Sequence, residues 1–372
     1  MKLGGLLFTL ICPLLLLAQN PISSKKKVLI VVSSYGKGEG KKRPGYEFEE
    51  FSQAYLVFKA NGFGVDVASP KGGSAEPDAF NKTKPYNKLV LEDSTAMRLL
   101  RHTIPTANIK TSNYQAVYVV GGKGAMFDLP VDPSLQEIIS TIYYKQKGVV
   151  AAVCHGPAAL VNVKDDEEKY LLAGKKVSGF SNEEEKKFGK TWISEFPFLL
   201  EDKLKARGVF YESSEAMLPQ VTVDGRLVTG QNPFSTAQLA EEIIRAIGFM
   251  PVKRELYKDE RSMSFVKRAV RGDSTWARNE IKANTGLYDT ELIAVYGYYK
   301  IIKANEDINE IKQGISIIEL VEPWVFNENL HYEMAKAYIK LNNKEKAKTL
   351  LSNLIAKKPA FEEAKKLLKE IK

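Results

Sequence analysis

Gly148 to Leu160 reads GVVAAVCHGPAAL, and the rest of the chain can be read outward from it. The β-branched run Val149, Val150 and Val153 predicts a buried strand that stops at Cys154. Gly156 and Pro157 then open an Ala- and Leu-rich segment that reads as helix. Strand, nucleophile, small residue and helix in that order form a nucleophile elbow, with Ala152-Val153-Cys154-His155-Gly156 where the serine version has G-x-S-x-G. Such a turn lifts the sulfur above the sheet, beside a helix N-terminus whose dipole is expected to lower the thiol pKa. A buried structural cysteine would explain neither His155 nor the glycine that follows.

At 372 residues the chain is long for one core and predicts two domains after any leader. Residues 1–19 read as a signal peptide: Lys2, an apolar run from Leu6 to Leu17, then Ala18 as the small residue before cleavage. The run is shorter than the roughly 20 residues of a membrane span, so the protein is expected to be exported. Cys12 leaves with the leader, Cys154 becomes the sole cysteine, and no intramolecular disulfide can form. The net charge of +9 is spread over Lys-rich helical segments. No basic cluster is interleaved with exposed aromatics, so nucleic acid is not an expected partner.

After a linker at 20–26, Val28–Ser33 reads as a first strand, and Tyr46–Asn61 as a helix with apolar residues at Phe48, Phe51, Tyr55 and Phe58. Further strands are expected at Val65–Ala68, Ala116–Val120, Val149–Val153, Lys176–Gly179 and Val221–Thr229, the last with Asp224-Gly225 as a hairpin turn. Helices are expected at Pro133–Tyr144 and Phe234–Ile247. Strands alternating with helices predict a parallel sheet covered on both faces, with ligands beyond the strands' carboxyl ends. Glu49 or Glu50, Gly121-Gly122 and Cys154 all follow strands and can converge there. Beyond Pro251 no strand run occurs. Ala335, Tyr338, Ala347, Leu351 and Pro359 fall at the offsets of a tetratricopeptide repeat, and a looser copy ends at Pro323. The domains read as 27–250 and 251–372, the second a helical-repeat unit that binds a protein partner or packs on the first.

Val119-Val120-Gly121-Gly122, Gly124 to Pro130, Ala151 to Leu160, GKKVSGFSNEEE at 174–185 and DGRLVTGQNP at 224–233 resemble the ThiJ/PfpI family of the class I glutamine amidotransferase-like superfamily, closest to its glyoxalase III and chaperone-like branch. The resemblance covers about residues 27–248 and says nothing of the tail. It implies a flavodoxin-like α/β fold, with the all-α tail appended. It further implies Cys154 as nucleophile, His155 as neighbouring base, Glu185 as the acid that orients it and Glu50 as a proton-relay carboxylate. Glu183 and Glu184 read as solvated helical residues. The N–H groups of Gly122 and His155 are candidate oxyanion donors, and Gly121, Gly122 and Lys123 candidate substrate contacts. Lys123 stands where the branch usually has histidine, which puts a fixed positive charge at the rim.

With only His102, His155 and His331 present, no histidine lies where a glutamine amidotransferase needs one, late in the same domain. No metal-ligand spacing or phosphate-cradling loop occurs either. The expected activity is cofactor-free conversion of a 2-oxoaldehyde such as methylglyoxal to a 2-hydroxy acid (D-lactate). The alternatives are a cysteine amidase or peptidase of the same fold, a holdase chaperone, and a partner-binding protein with a vestigial pocket. A homodimer is compatible with all four.

Overall fold

The computed structural model describes residues 26–371; the expected leader, with Cys12, and most of the linker lie outside them. Lys27–Val31 (β1), Gly64–Ser69 (β2), Ile104–Pro105 (β3), Ala116–Val119 (β4) and Val149–Val153 (β5) are parallel strands of one sheet. Lys176–Val177 (β6) and Phe210–Tyr211 (β7) form a separate two-stranded sheet, so the first of these does not extend the main sheet as its sequence suggested. Val221–Asp224 (β8) and Leu227–Gly230 (β9) complete the main sheet in the order β3-β2-β1-β4-β5-β9-β8. Only β8 runs antiparallel. Asp224 pairs with Leu227, which makes Gly225-Arg226 the turn rather than Asp224-Gly225. Gly225, at φ +60°, supplies the left-handed residue that such a turn requires.

The central strands are apolar on both sides because helices cover both faces. Val28 to Val32, Ala116 to Val120 and Val149 to Val153 are essentially solvent-free. On one face the helix Phe48–Ala60 buries Phe48, Phe51, Tyr55 and Phe58 and packs beside the helix Thr236–Ile247, which Gly248 ends in the left-handed conformation. Each large apolar side chain buried this way stabilises the fold by about 2 kcal/mol. Pro133–Ser140 forms a helix that continues as a π-turn over Thr141–Lys145. Pairing direction reverses between β1, which leads to β2, and β4, which leads to β5. The crevice above that reversal, at the carboxyl ends, is where such sheets bind ligands.

From Lys258 onward the described chain is helical, as its pattern predicted. Thr290–Lys303 and Ile308–Val321 form one pair, with Gly297 and Gly314 at their closest approach, and Glu328–Lys340 and Lys344–Lys357 form another. Ala335, Tyr338, Ala347 and Leu351 are buried between helices. Lys258–Val270 docks on the α/β layer: Asp259 accepts a hydrogen bond from Tyr86 Oη at 2.6 Å and pairs with Lys84 Nζ at 3.1 Å.

Candidate active site

The site is assembled from three strand ends. β4 runs out at Val119, and the backbone then turns back at Gly121-Gly122. A Cβ on Gly121 would stand 2.7 Å from Val153 O, 2.8 Å from Cys154 Cβ and 2.8 Å from Glu50 Oε2, so only glycine lets the three groups meet. β5 ends at Cys154, whose φ of +58° is the strained turn of an elbow. The loop after β1 delivers the helix Phe48–Ala60, which carries Glu50 in its first turn.

His155 Nδ1 lies 3.5 Å from Cys154 Sγ, and its Nε2 lies 3.1 Å from Glu185 Oε1. With Nε2–H donating to Glu185, the Nδ1 lone pair faces the thiol, as a base requires. Phe180 packs on the imidazole at 4.5 Å between centroids and Phe196 at 5.8 Å, which fixes the ring. Glu50 is wholly buried; its Oε2 accepts the Gly121 N–H at 2.7 Å, and the carboxyl lies close enough to Cys154 for the two groups to influence each other's ionisation. Cys154, His155, Glu50, Glu185, Gly121, Gly122 and Lys123 are thus brought to one place, the last two lining a cavity of about 250 Å³ with Cys154 and His155. Glu49 points away, to Lys84 Nζ at 2.6 Å.

Electrostatics depart from the expectation at the sulfur. After the elbow the chain makes only a five-residue 3-10 helix, Gly156–Leu160, too short to build much of a dipole. Burial pushes the Cys154 thiol well up, the Glu50 carboxyl beside it adds to the rise, and only the Gly122 N–H works the other way. Burial also raises Glu50 well above the carboxylate range, helped by nearby Glu47. Both shifts favour the protonated forms, a thiol beside a carboxylic acid, over a preformed thiolate.

The sequence reading missed the opposite wall. Glu184, expected to be solvated, is 1% exposed. It accepts from Ser181 N and Oγ, Gln231 Nε2, Met217 N and Asn232 Nδ2 at 2.9–3.2 Å. The helical turn Asn182–Glu184 widens into a π-turn over Glu185–Gly189, and with it the two adjacent carboxylates both lie inside. Glu183 is exposed and pairs with Lys187. Phe188, Met217, Asn232 and Phe234 complete this wall. Glu47 and Asp78 face Lys123 across the mouth. Burial, with Glu49 and Asp78 nearby, lifts Glu47 to about 7; burial also raises Asp78, which accepts from Gly45 N at 2.6 Å. Three acids in the run EFEE at 47–50 were a visible signal for Glu47. Asp78 had none, since its place depends on the packing of two loops.

Comparison with known proteins identifies the α/β layer. Residues 43–246 fit the DJ-1/PfpI family. Glyoxalase 3 of Candida albicans is 34% identical over 235 residues, 59% of this chain and 98% of that protein. A glutathione-independent glyoxalase of Schizosaccharomyces pombe is 32% identical over 250 residues, 61% of this chain and 99% of that one. The crystal structure of the Candida albicans glyoxalase III superposes with a TM-score of 0.55 at 28% identity, covering 59% of this chain and 96% of that structure. The family match over residues 43–246 and these identities together show that the chain belongs to the DJ-1/PfpI family.

Proposed function

We propose that the protein is a cofactor-independent glyoxalase III-type enzyme that converts 2-oxoaldehydes such as methylglyoxal to 2-hydroxy acids, D-lactate in that case. The observation that carries this reading is the Glu50 carboxyl wholly buried beside Cys154, with His155 Nδ1 on the same sulfur. An amidase needs the thiol and the base; a second acid at the sulfur suits a reaction that moves a proton between neighbouring carbons. The relatives' activities support the same reading.

The resting protonation states lead to a balanced route. His155 Nδ1 takes the thiol proton as Sγ bonds to the aldehyde carbon, and Glu50 gives its proton to the aldehyde oxygen. The Glu50 carboxylate so formed removes the hydrogen from that carbon while the imidazolium protonates the ketone oxygen, giving an enediol. Glu50 then delivers its proton to the second carbon, and the first carbon's hydroxyl returns a proton to His155, leaving a thioester. Water releases the 2-hydroxy acid, and the remaining proton moves from His155 back to Glu50. One carbon is oxidised and its neighbour reduced, so no external redox partner enters. Glu185 steadies the imidazolium, and the N–H groups of Gly122 and His155 are assigned to the developing oxyanion.

We further assign Lys123 to substrate contact at the mouth, the helical region to the tetratricopeptide type, and the protein to an exported location. The offsets around Ala335 and Ala347 support the second assignment and residues 1–19 the third. The test of the enzymatic reading is D-lactate formation from methylglyoxal without glutathione, beside Cys154→Ser and Glu50→Gln. Turnover lost in both variants is the expected result. A wild type that is alkylated at Cys154 yet turns over no 2-oxoaldehyde overturns the reading.

A further inference from the structure

The helical region touches the α/β layer at the wall of the pocket itself. The loop 213–219 carries Met217, which lines the cavity with φ +71°, a left-handed conformation that costs a non-glycine residue about 1 kcal/mol and persists only where its surroundings impose it. On the inner side, Glu184 Oε1 accepts the Met217 N–H at 3.1 Å. On the outer side the restraints come from the tail. Glu215 accepts from Tyr296 Oη at 2.7 Å and from Lys300 Nζ at 2.5 Å, both on the helix Thr290–Lys303. Lys300 is 5% exposed and also pairs with Glu310 at 3.1 Å. Lys267 Nζ bonds Gln220 Oε1 at 3.2 Å, and the side chains of Met217 and Leu218 belong to the helical core with Met263 and Phe265. A second wall residue, Phe188, rests edge-on against Tyr299 at 5.4 Å.

We propose that the helical region is a working part of the pocket, and that Lys300 and Tyr296 are positioning residues which, through Glu215, hold Met217 in place and so set the size of the substituent that a 2-oxoaldehyde can carry. An ammonium ion this buried is held where its carboxylate partners are. Removing its charge leaves Glu215 and Glu310 without their shared cation, and frees the loop to relax the strained Met217 away from the cavity. The proposal rests on the glyoxalase reading for its substrate class but not for the position of the wall.

Two readouts on the full chain separate these. The first is the rate of Cys154 alkylation by N-phenylmaleimide relative to iodoacetamide, which reports access to the sulfur whatever the enzyme does. The second is kcat/KM for phenylglyoxal relative to methylglyoxal. In Lys300→Met both ratios are expected to rise, on the order of threefold to tenfold for loss of a buried ammonium from its two half-exposed carboxylate partners, while Lys300→Arg keeps the wild-type ratios. Tyr296→Phe and Glu215→Gln, milder changes on the same contacts, are expected to move the ratios in the same direction and carry the test if Lys300→Met does not fold. Unchanged or lowered alkylation ratios in folded Lys300→Met, or in both milder variants, overturn the proposal. If the alkylation ratios rise while no variant and no wild type turns over either aldehyde, the wall is positioned as proposed and the glyoxalase reading alone falls.

Discussion

The two walls of the pocket are built by different means. On the sheet side Glu50, Gly121, Gly122, Cys154 and His155 sit within three residues of a strand end or in the first turn of a helix, so backbone geometry brings them together. On the loop side Met217, Phe188 and Asn232 hang on segments with little regular structure. Their places are set by side chains from far along the chain: Glu184 from within, Tyr296, Tyr299 and Lys300 from without. The sheet side fixes the chemistry, and the loop side is free to fix what enters. Changes on the first should remove turnover; changes on the second should redistribute it among substrates.

The largest expected effect is therefore at Glu50. Glu50→Gln keeps the shape and the acceptor for Gly121 N–H but removes the proton relay, and should lower kcat by about a thousandfold. The same variant should make the thiol more acidic. At any pH where the Glu50 carboxyl has given up its proton, its charge beside Sγ disfavours thiolate, so in that range its loss moves the midpoint of the alkylation profile to lower pH. A variant dead in turnover yet alkylated at lower pH separates relay from activation; a midpoint that does not move would break the pairing of Glu50 with Cys154.

Next is Gly121→Ala. Three heavy atoms lie within 2.8 Å of the new Cβ, two of them backbone O or Cβ that cannot swing aside. The expected cost is about 2 kcal/mol of stability and about a hundredfold in turnover, as Glu50 and the sulfur are pushed apart. Unfolding midpoints and kcat in parallel measure both.

These positions were readable from sequence because their cause is local. A valine run ending at Cys154, and Gly121-Gly122 after Ala116–Val119, can form little else than strand, turn and a nucleophile at the turn's tip. Glu184 was not readable. In SNEEE nothing distinguishes the three acids until the π-turn after Glu184 and the distant donors Asn232 and Gln231 are in place. The sulfur's titration was misjudged for a related reason: helix length after Cys154 was assumed from composition, and Gly156–Leu160 is a single short 3-10 stretch. The strand Lys176–Val177 went astray because two residues with a single apolar side chain do not say which partner they will take, and Phe210–Tyr211 competes for them.

Glu184→Gln tests the loop side from within. One oxygen becomes an amide facing N–H donors, which leaves buried donors unpaired and costs about 2 kcal/mol. Glu184 makes no hydrogen bond to Cys154, His155 or Glu50 and reaches the sulfur only through its charge, so KM for methylglyoxal should rise about tenfold while kcat changes less. An equal fall of kcat would show that the two walls are not separable.

The smallest effect lies at the mouth, where Glu47 is lifted to about 7. In the unfolded chain this carboxyl titrates near 4.5. Between those values the folded protein holds a proton that the unfolded chain has lost, so folding stability falls as pH rises through that window and stays lowered above it. Glu47→Gln keeps the oxygen that accepts from Glu49 N–H while removing the titration. Its thermal midpoint should match that of the wild type at pH 4.5 and exceed it at pH 8. Lys123 opposes the rise by favouring the carboxylate. Lys123→Met should therefore move Glu47 further up and extend the fall in stability beyond pH 7. Equal midpoint differences at both pH values would mean that Glu47 does not titrate in this range, and that the mouth is governed by packing rather than by charge.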